Sequence, residues 1–324
     1  MTMLPEAAGI GLRVSVTDRC PLRCLYCRPQ TLIEPCRRLD VLQASDIVRL
    51  VRVAQAALGV AKVRLTGGEP LARGDIVDLV AALAPLGIPD LALTTNGQCL
   101  AALARPLHEA GLARVNVSLD SLDPGTFSRL ARGGELTRTL AGVEAAARAG
   151  LAPVKINTVV LRRINDHEAE AMLSYALACG YELRFIELMP SGLAPEDYAK
   201  LFLRSSELRA RLAASFDLQP EKHEPGSSSR RFRATGAGGK QGFVGFISPN
   251  SHPFCSDCRR LRLTSDGQLL GCLGRRDHIG LMGLLRETGP GVDERIASAL
   301  YVALGCKRGA GPFAVAMPMS SVGG

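Results

Sequence analysis

The residues Ser45–Thr66, SDIVRLVRVAQAALGVAKVRLT, contain one complete unit of a helix followed by a strand. Ser45 and Asp46 supply N-cap side chains ahead of apolar residues at helical spacing, and Gly59 ends this run. The β-branched run that follows, Lys62–Thr66, predicts a strand. We therefore expect a helix over Ser45–Leu58 and a buried strand shortly after it.

The same alternation recurs along the chain. Stretches rich in Ala and Leu, such as Glu135–Ala149, separate six β-branched runs, which are Leu12–Thr17, Lys62–Thr66, Asp90–Thr95, Arg114–Leu119, Val154–Val160 and Glu182–Leu188. Repeated alternation of this kind predicts a parallel sheet covered by helices, either doubly wound or barrel-like. Six units fall short of the eight in a closed barrel. We predict an α/β fold, an incomplete (βα)6 TIM-like barrel over residues 1–220.

Polar motifs follow five of the six predicted strands. They are Thr17–Arg19, Gly67–Glu69, Thr95–Gly97, Ser118–Asp120 and Glu187–Met189. Each motif alone is compatible with an ordinary turn, because Gly, Asn and Asp favour turns. Ligands of parallel α/β sheets bind at the carboxyl ends of the strands, so we expect the five motifs to share one functional rim.

The segment Glu221–Gly242 is rich in Pro, Gly, Ser and Arg, which predicts a loop or linker. Beyond it, three further clustered cysteines occur before the chain ends at Gly324. We predict that residues 221–324 form a smaller C-terminal region that covers the barrel mouth.

The composition excludes several classes of protein. The 324 residues are 47% hydrophobic and 4% aromatic, with a net charge of +8, so they describe a globular chain with a mildly basic surface suited to a polyanion. Few aromatics argue against a platform for single-stranded nucleic acid. No membrane span or secretory signal is apparent. We expect no nucleic-acid or membrane partner and a cytoplasmic location. Six of the ten cysteines fall in two clusters, which indicates metal binding rather than a disulfide scaffold.

The first cluster is C-x3-C-x2-C directly after the first predicted strand, formed by Cys20, Cys24 and Cys27. Three thiolates can hold three irons of a 4Fe–4S cubane and leave the fourth iron open for a ligand. Zinc is the alternative, but it prefers four ligands, and Cys36 is the one further Cys or His nearby.

The second cluster is C-x2-C-x13-C, formed by Cys255, Cys258 and Cys272. Its spacing alone favours zinc and iron–sulfur equally, since His252 stands three residues upstream as a fourth zinc ligand.

The first cluster within VSVTDRCPLRCLYCRP (Val14–Pro29) resembles the radical S-adenosylmethionine (SAM) superfamily. The resemblance implies that the open iron binds S-adenosylmethionine. Tyr26 would lie near the adenine, and the backbone at Gly68 in LTGGEP would bind the methionyl amino group. Ser118 would contact the ribose or the methionyl carboxylate, and Met189 would contact the adenine.

The stretch PFCSDCRRLRLTSDGQLLGCL (Pro253–Leu273), with motifs such as RVNVSLDSLD and RFIELMP, resembles the GTP 3′,8-cyclase family of molybdenum cofactor biosynthesis. These enzymes are lyases. The resemblance implies two 4Fe–4S clusters, the second held by the second cysteine triad and facing the guanine. A 5′-deoxyadenosyl radical would take the 3′ hydrogen of GTP, and C3′ would then bond to C8 to give 3′,8-cyclo-7,8-dihydro-GTP.

The same resemblance assigns residues and partners. The residues implied to contact GTP are Arg13, Arg64, Thr95, Lys155, Arg260 and Arg262. Arg and Lys side chains suit phosphate oxygens. The terminal Gly323 and Gly324 would reach the active site and support catalysis. The implied partners are a reducing electron donor and the cyclic pyranopterin monophosphate synthase downstream, and the resemblance is compatible with a homodimer.

Two positions depart from the family pattern: Arg259 replaces Asn, and Arg163 occupies a Gly position. Neither removes a cluster ligand. Two alternative functions remain open, a radical peptide-modifying enzyme with an auxiliary cluster and a zinc-binding interaction module.

Overall fold

The computed structural model describes residues 9–27, 41–190, 193–275 and 277–307. Within these ranges the strands are β1 (Gly11–Ser15), β2 (Lys62–Thr66), β3 (Asp90–Thr95), β4 (Arg114–Ser118), β5 (Lys155–Val160), β6 (Glu182–Glu187), β7 (Asp217–Pro220), β8 (Ser229–Thr235), β9 (Gln241–Ile247), β10 (Arg260–Leu263), β11 (Gln268–Leu270) and β12 (Ile279–Gly280). The helices are α1 (Ala44–Leu58), α2 (Ile76–Leu83), α3 (Leu100–Glu109), α4 (Pro124–Ala131), α5 (Leu136–Arg148), α6 (Ala169–Cys179), α7 (Pro195–Leu201), α8 (Ser205–Leu212), α9 (Met282–Arg286) and α10 (Val292–Gly305).

The twelve strands of the described residues form one mixed sheet, ordered β12-β11-β10-β1-β2-β3-β4-β5-β6-β9-β8-β7. Strands β1–β6 are parallel and lie side by side in chain order, which is the arrangement that strand–helix alternation predicts. Later strands extend both edges: β9 pairs parallel with β6, and β10 pairs parallel with β1. The predicted α/β class is confirmed, and residues after 220 contribute to both edges of the sheet.

The two faces of the parallel strands carry different side chains. Leu12, Val63 and Leu91 lie in register on three neighbouring strands and are at most 3% exposed, in the core shared with the helices. Because successive side chains of a strand alternate between faces, Arg13 and Arg64 lie on the opposite face. The helix-facing side is therefore apolar, while the other side carries charge.

Helix α1 begins one residue earlier than the sequence predicts. Gln43 is the N-cap residue: its carbonyl accepts the Ile47 N–H at 3.2 Å, and its own N–H donates to the Asp46 carboxylate at 2.9 Å. Ser45 is exposed inside the first turn. Gly59 ends the helix in the left-handed conformation (φ 61°), as predicted. The prediction is confirmed for Asp46, whose carboxylate accepts the hydrogen bond of the N-cap residue, and is wrong for Ser45, which is exposed within the first turn.

Among the helices of the described ranges, none is both long and apolar enough to cross a membrane.

Candidate active site

The first cysteine triad lies in the loop that follows β1. Its members, Cys20, Cys24 and Cys27, are half-buried. Two backbone hydrogen bonds tie the loop to the end of α4: the Arg23 N–H donates to the Ala131 carbonyl and the Leu25 N–H to the Leu130 carbonyl, both at 2.9 Å. Main-chain hydrogen bonds thus hold the loop on the rim of the sheet.

The glycines of the predicted LTGGEP motif pack against this loop. The Gly68 N–H donates to the Thr17 carbonyl and the Glu69 N–H to the Arg19 carbonyl, both at 2.7 Å. A Cβ on Gly68 would lie 2.4 Å from the Arg19 carbonyl oxygen, closer than any side chain permits. Glycine is therefore required here for close approach of two backbones. Binding of a ligand at Gly68 stays a prediction.

Glu69 joins the third strand to the same rim. Its buried carboxylate accepts hydrogen bonds from the Thr95 hydroxyl (2.6 Å), the Asn96 N–H (2.7 Å) and the Leu71 N–H (3.0 Å). Burial raises the pKa of Glu69, and these hydrogen bonds oppose that rise. Thr95, predicted from the family resemblance to contact GTP, is only 2% exposed and uses its hydroxyl on Glu69. The Asn96 amide lies 3.8 Å from the Cys20 sulfur.

Tyr26 is anchored by an acid that the sequence analysis did not assign. Its hydroxyl donates to the Asp120 carboxylate at 2.5 Å, and the Val159 N–H donates to the same carboxylate at 2.8 Å. Burial raises the pKa of Asp120 to about 6, although both hydrogen bonds oppose the rise. Asp120 belongs to the predicted polar motif after the fourth strand, but its hydrogen bond with Tyr26 joins residues far apart in the chain, so no local pattern predicts it.

The three thiols of the first triad influence one another. Burial raises the pKa of Cys24 well above its ordinary value, and Asp120, Cys27 and Cys20 raise it further. The sulfurs are therefore close enough for their charges to interact. Three soft sulfur donors on one loop fit the ligand set of an iron–sulfur cluster.

The other predicted S-adenosylmethionine contacts lie at the same rim. Ser118 is the last residue of β4, and Met189 follows the end of β6; both are half-buried. With the triad after β1 and Gly68 after β2, four strand ends supply candidate residues. Their roles stay predictions.

A row of arginines crosses the sheet below this rim. Arg13 on β1 is in register with Arg64 on β2 and with Arg262 on β10. Arg260 alternates with the buried Leu261 and so faces the same side as Arg262. Burial lowers the pKa of Arg13, and then Arg262, Arg260, Arg64 and Arg184 lower it further. The structure therefore brings these four predicted residues together on one face of the sheet.

Further charges line the same face on β3–β6. The Lys155 ammonium lies 3.1 Å and the Arg184 guanidinium 2.7 Å from the Glu182 carboxylate, while Arg114 pairs with Asp90 at 2.6 Å. Burial, followed by repulsion from Arg184, lowers the pKa of Lys155 to about 8. Arg114, Arg184 and their partners were not predicted, although charge inside an apolar strand distinguishes them as it distinguishes Arg13.

Part of this cationic face has unused donors. Buried N–H atoms on Arg64 (Nη1) and Arg260 (Nε and Nη2) have no hydrogen-bond partner within the described chain. Burial lowers the pKa of Arg64 to about 9. Buried donors and charges are costly when they lack partners. The arrangement suits an anionic ligand that brings several acceptors.

The second triad lies at the opposite end of the neighbouring strand. Cys258 precedes β10, whereas Cys20 follows β1, and these two strands run parallel. Burial raises the pKa of Cys255, and Cys272 and Cys258 raise it further, so these thiols also interact. Burial alone raises the pKa of Cys258, but Arg260 and Lys307 outweigh that effect and lower it. The arginine row thus lies between two cysteine loops.

His252 is not placed as a fourth ligand of this triad. It is exposed, and its Nε2 lies against the Arg230 guanidinium. In the part of the chain that the structure describes, no three Cys, His, Asp or Glu side chains converge as a site for a metal ion. A four-iron cluster binds each thiolate through a different iron, so its ligands need not converge on one point.

The remaining expectations fall outside or beside the described site. Gly323, Gly324 and Cys36 lie outside the described residues. Arg163, at the family's Gly position, adopts a left-handed backbone (φ 62°), and its N–H donates to the Asp166 carboxylate at 2.6 Å. Arg163 therefore keeps the backbone conformation that favours Gly, and a hydrogen bond to Asp166 accompanies it.

Comparison with known proteins identifies two matching families. The sequence model of the radical SAM superfamily matches residues 14–176, and that of the molybdenum cofactor synthesis C-terminal family matches residues 181–309. The GTP 3′,8-cyclase of Paenarthrobacter nicotinovorans is 43% identical over 305 residues, covering 87% of this chain and 86% of that protein. GTP 3′,8-cyclase 1 of Pseudomonas aeruginosa is 44% identical over 277 residues, covering 85% and 83%.

Solved structures show the same fold. The chain resembles Streptococcus suis SuiB bound to S-adenosylmethionine with a TM-score of 0.64 at 17% identity, covering 93% of this chain and 68% of that one. SuiB bound to its precursor peptide SuiA gives a TM-score of 0.62 at 16% identity, covering 90% and 64%. At this identity the likeness shows the fold alone.

Proposed function

We propose that this chain, which belongs to the radical SAM superfamily and within it to the GTP 3′,8-cyclase family, converts GTP to 3′,8-cyclo-7,8-dihydro-GTP in the first step of molybdenum cofactor biosynthesis. One structural observation supports this function above the others. Arg262, Arg13 and Arg64 lie side by side on adjacent strands, between a cysteine loop at one strand end and a second cysteine loop at the other.

The first triad would hold a 4Fe–4S cluster, as the corresponding cysteines do in other members of the family. With three thiolates as ligands, one iron remains open for the amino and carboxylate groups of S-adenosylmethionine. When bound, the cluster would supply an electron, and S-adenosylmethionine would supply the 5′-deoxyadenosyl radical that removes a hydrogen atom from the substrate. Tyr26, Gly68, Ser118 and Met189 lie around the same rim and would orient S-adenosylmethionine.

The second triad would hold a second 4Fe–4S cluster. Support comes from the mutual influence of Cys255, Cys258 and Cys272 and from the cations Arg260 and Lys307 beside them. Cationic groups favour deprotonated sulfur, which is the form that binds iron. In this assignment the second triad, beside the arginine row, would hold the cluster near the base of GTP.

The cationic face would bind the triphosphate of GTP. Arg13, Arg64, Arg260 and Arg262 lie together, and Lys155 lies on β5 with Arg184 beside it. Unused buried N–H donors on Arg64 and Arg260 provide the hydrogen bonds that phosphate oxygens accept. The protein would hold GTP with its ribose toward the first triad and exclude water from the reacting carbons.

Electrostatic contacts across the sheet support the predicted incomplete barrel. Arg184 on β6 lowers the pKa of Arg13 on β1 and of Arg64 on β2. In a flat sheet, five strand spacings would separate β1 from β6 by about 24 Å, beyond the reach of a short-range charge effect. We infer a sheet that curls around the cationic face, with the region after residue 220 closing its open end. A reducing electron donor and the synthase downstream complete the proposed pathway step.

Anaerobic incubation of reconstituted protein with S-adenosylmethionine, dithionite and GTP tests this function. The product is an isomer of GTP, so it is identified by chromatography alongside 5′-deoxyadenosine. We expect both from the wild type and neither from Cys24→Ala, while Cys179→Ala, which alters an exposed cysteine on α6, behaves as wild type. S-adenosylmethionine cleavage without any cyclised nucleotide from the wild type would contradict the proposed substrate.

A further inference from the structure

The C-terminal end of α10 lies against the second cysteine triad. Gly271, adjacent to Cys272, faces this helix end: a Cβ at Gly271 would lie 2.0 Å from the Ala303 carbonyl oxygen. The absence of a side chain at Gly271 thus lets the helix end approach the triad closely. Past the helix, the Cys306 N–H still donates to the Val302 carbonyl (3.1 Å) and the Lys307 N–H to the Leu304 carbonyl (3.4 Å). Lys307 is therefore held by the helix.

The Lys307 ammonium points at one thiol of that triad. Its Nζ lies 3.5 Å from the Cys258 sulfur, and the side chain is half-buried. Burial lowers the pKa of Lys307, Cys258 and Cys272 oppose that change, and Arg260 adds to it. A partly buried ammonium next to another cation is costly unless negative charge lies beside it. Thiolates that bind iron would supply that charge.

We propose that Lys307 is a positioning residue of the second cluster, whose ammonium holds the Cys258 sulfur and raises the reduction potential of the cluster. This inference rests on the second cluster of the proposed function. A hydrogen bond to a ligand sulfur and a nearby positive charge both stabilise the more negative, reduced form of a cluster. Lys307 acts through Cys258 and needs no contact with GTP.

Matched variants separate charge from packing. Lys307→Met keeps the length of the side chain and removes its charge, and Lys307→Arg restores a charged N–H donor. Arg275→Met is the control: it removes a cation from the same corner, where Arg275 contacts the Asp277 carboxylate and the Cys306 carbonyl. Each variant is combined with Cys24→Ala, which removes the first cluster so that the remaining signal belongs to the second.

The measurement is a potentiometric titration of the reconstituted full chain, followed by electron paramagnetic resonance, with iron content determined in parallel. We expect Lys307→Met to lower the ratio of reduced to oxidised cluster about tenfold at a fixed potential, which is about 59 mV for one electron. Lys307→Arg should restore most of this shift, and Arg275→Met should match its parent. Loss of the cluster in Lys307→Met with retention in Lys307→Arg would equally support the proposal.

Two outcomes would overturn it. An unchanged potential in an iron-loaded Lys307→Met protein, or equal loss of iron in the Met and Arg variants, would reduce Lys307 to a packing residue. If the Cys24→Ala protein binds no iron at all, the second cluster of the proposed function is wrong, and the role of Lys307 is overturned with it.

Discussion

At the scale of single residues, the first cysteine loop depends on partners that carry no ligand chemistry of their own. The N–H groups of Gly68 and Glu69 donate hydrogen bonds to carbonyls of the segment that leads into the loop. Asp120 accepts a hydrogen bond from Tyr26, which lies between the second and third cysteines in the sequence. The Asn96 amide also donates to the Cys20 sulfur, so one of the three thiols has a side-chain contact on the same rim. Positioning thus comes from main-chain contacts and one buried acid.

Gly68→Ala is expected to displace the loop. The new Cβ would meet the Arg19 carbonyl at 2.4 Å, and overpacking of this kind costs about 1–3 kcal/mol. Iron content after reconstitution and the yield of 5′-deoxyadenosine should both fall. Gly74→Ala is the control, because no atom lies within 4 Å of its new Cβ, and its stability should change by less than about 0.5 kcal/mol. Full iron loading of Gly68→Ala would show that close backbone approach is dispensable.

Asp120 predicts a pH dependence with a defined sign. Burial raises its pKa from 3.8 to about 6, so the folded state disfavours the ionised form. Its contribution to stability is full below pH 3.8 and is lost as the pH rises through about 6. The free energy of unfolding of the cluster-free wild type, relative to Asp120→Asn, should therefore fall by about 2 kcal/mol between pH 4.5 and 7.5. Urea titrations of both proteins at pH 4.5 and at pH 7.5 measure this difference in the free energy of unfolding. A stability of the wild type relative to Asp120→Asn that rises with pH would contradict the raised pKa of Asp120.

The sequence predicted the residues with distinctive chemistry better than their partners. The cysteines, Gly68 and the in-strand arginines stand out by spacing and by charge inside apolar runs. Asp120 and Lys307 do not, because their contacts join segments far apart in the chain and nothing local marks them. A charged side chain within an apolar strand identified Arg13, and the same criterion, used for every predicted strand, would also have identified Arg114 and Arg184.

At the scale of elements, the helix and strand units that supply the rim follow from local patterns. β2 and β3 have the predicted bounds, and the remaining four predicted strands differ by at most two residues at an end. Strands β7–β12 were not predicted, and the loop or linker predicted over Glu221–Gly242 is wrong in part, because it contains β8. They are short, and their pairings depend on edges that β1 and β6 provide, so periodicity alone does not reveal them.

The start of α1 offers a test of the corrected cap. Asp46→Ala removes the carboxylate that accepts the Gln43 N–H and that pairs with Arg286 at 3.2 Å. We expect a loss of about 1–3 kcal/mol in the free energy of unfolding. Ser45→Ala, at the exposed neighbouring position, should be neutral within about 0.5 kcal/mol. Urea unfolding of both variants decides the point; a larger loss from Ser45→Ala would restore Ser45 as the cap.

At the scale of the whole molecule, one sheet connects the two cysteine loops. β10 pairs with β1, so the residues that follow Cys258 lie beside those that precede Cys20. Arg49 of α1 also pairs with Asp293 of α10 at 2.8 Å, which fastens the C-terminal helix to the first helix. The second triad, the arginine row and the first triad are thus parts of one folded unit. In the proposed function the first triad would generate the radical, and the second triad and the arginine row would bind the substrate.

The most direct test of this division is the ratio of cyclised nucleotide to 5′-deoxyadenosine formed by Cys258→Ala under anaerobic turnover, with Cys179→Ala as the matched cysteine control. We expect Cys258→Ala still to form 5′-deoxyadenosine, because the first triad is intact, but to yield no cyclised nucleotide. A ratio equal to that of the control would show that the second triad has no part in binding or converting GTP, contrary to the proposed function.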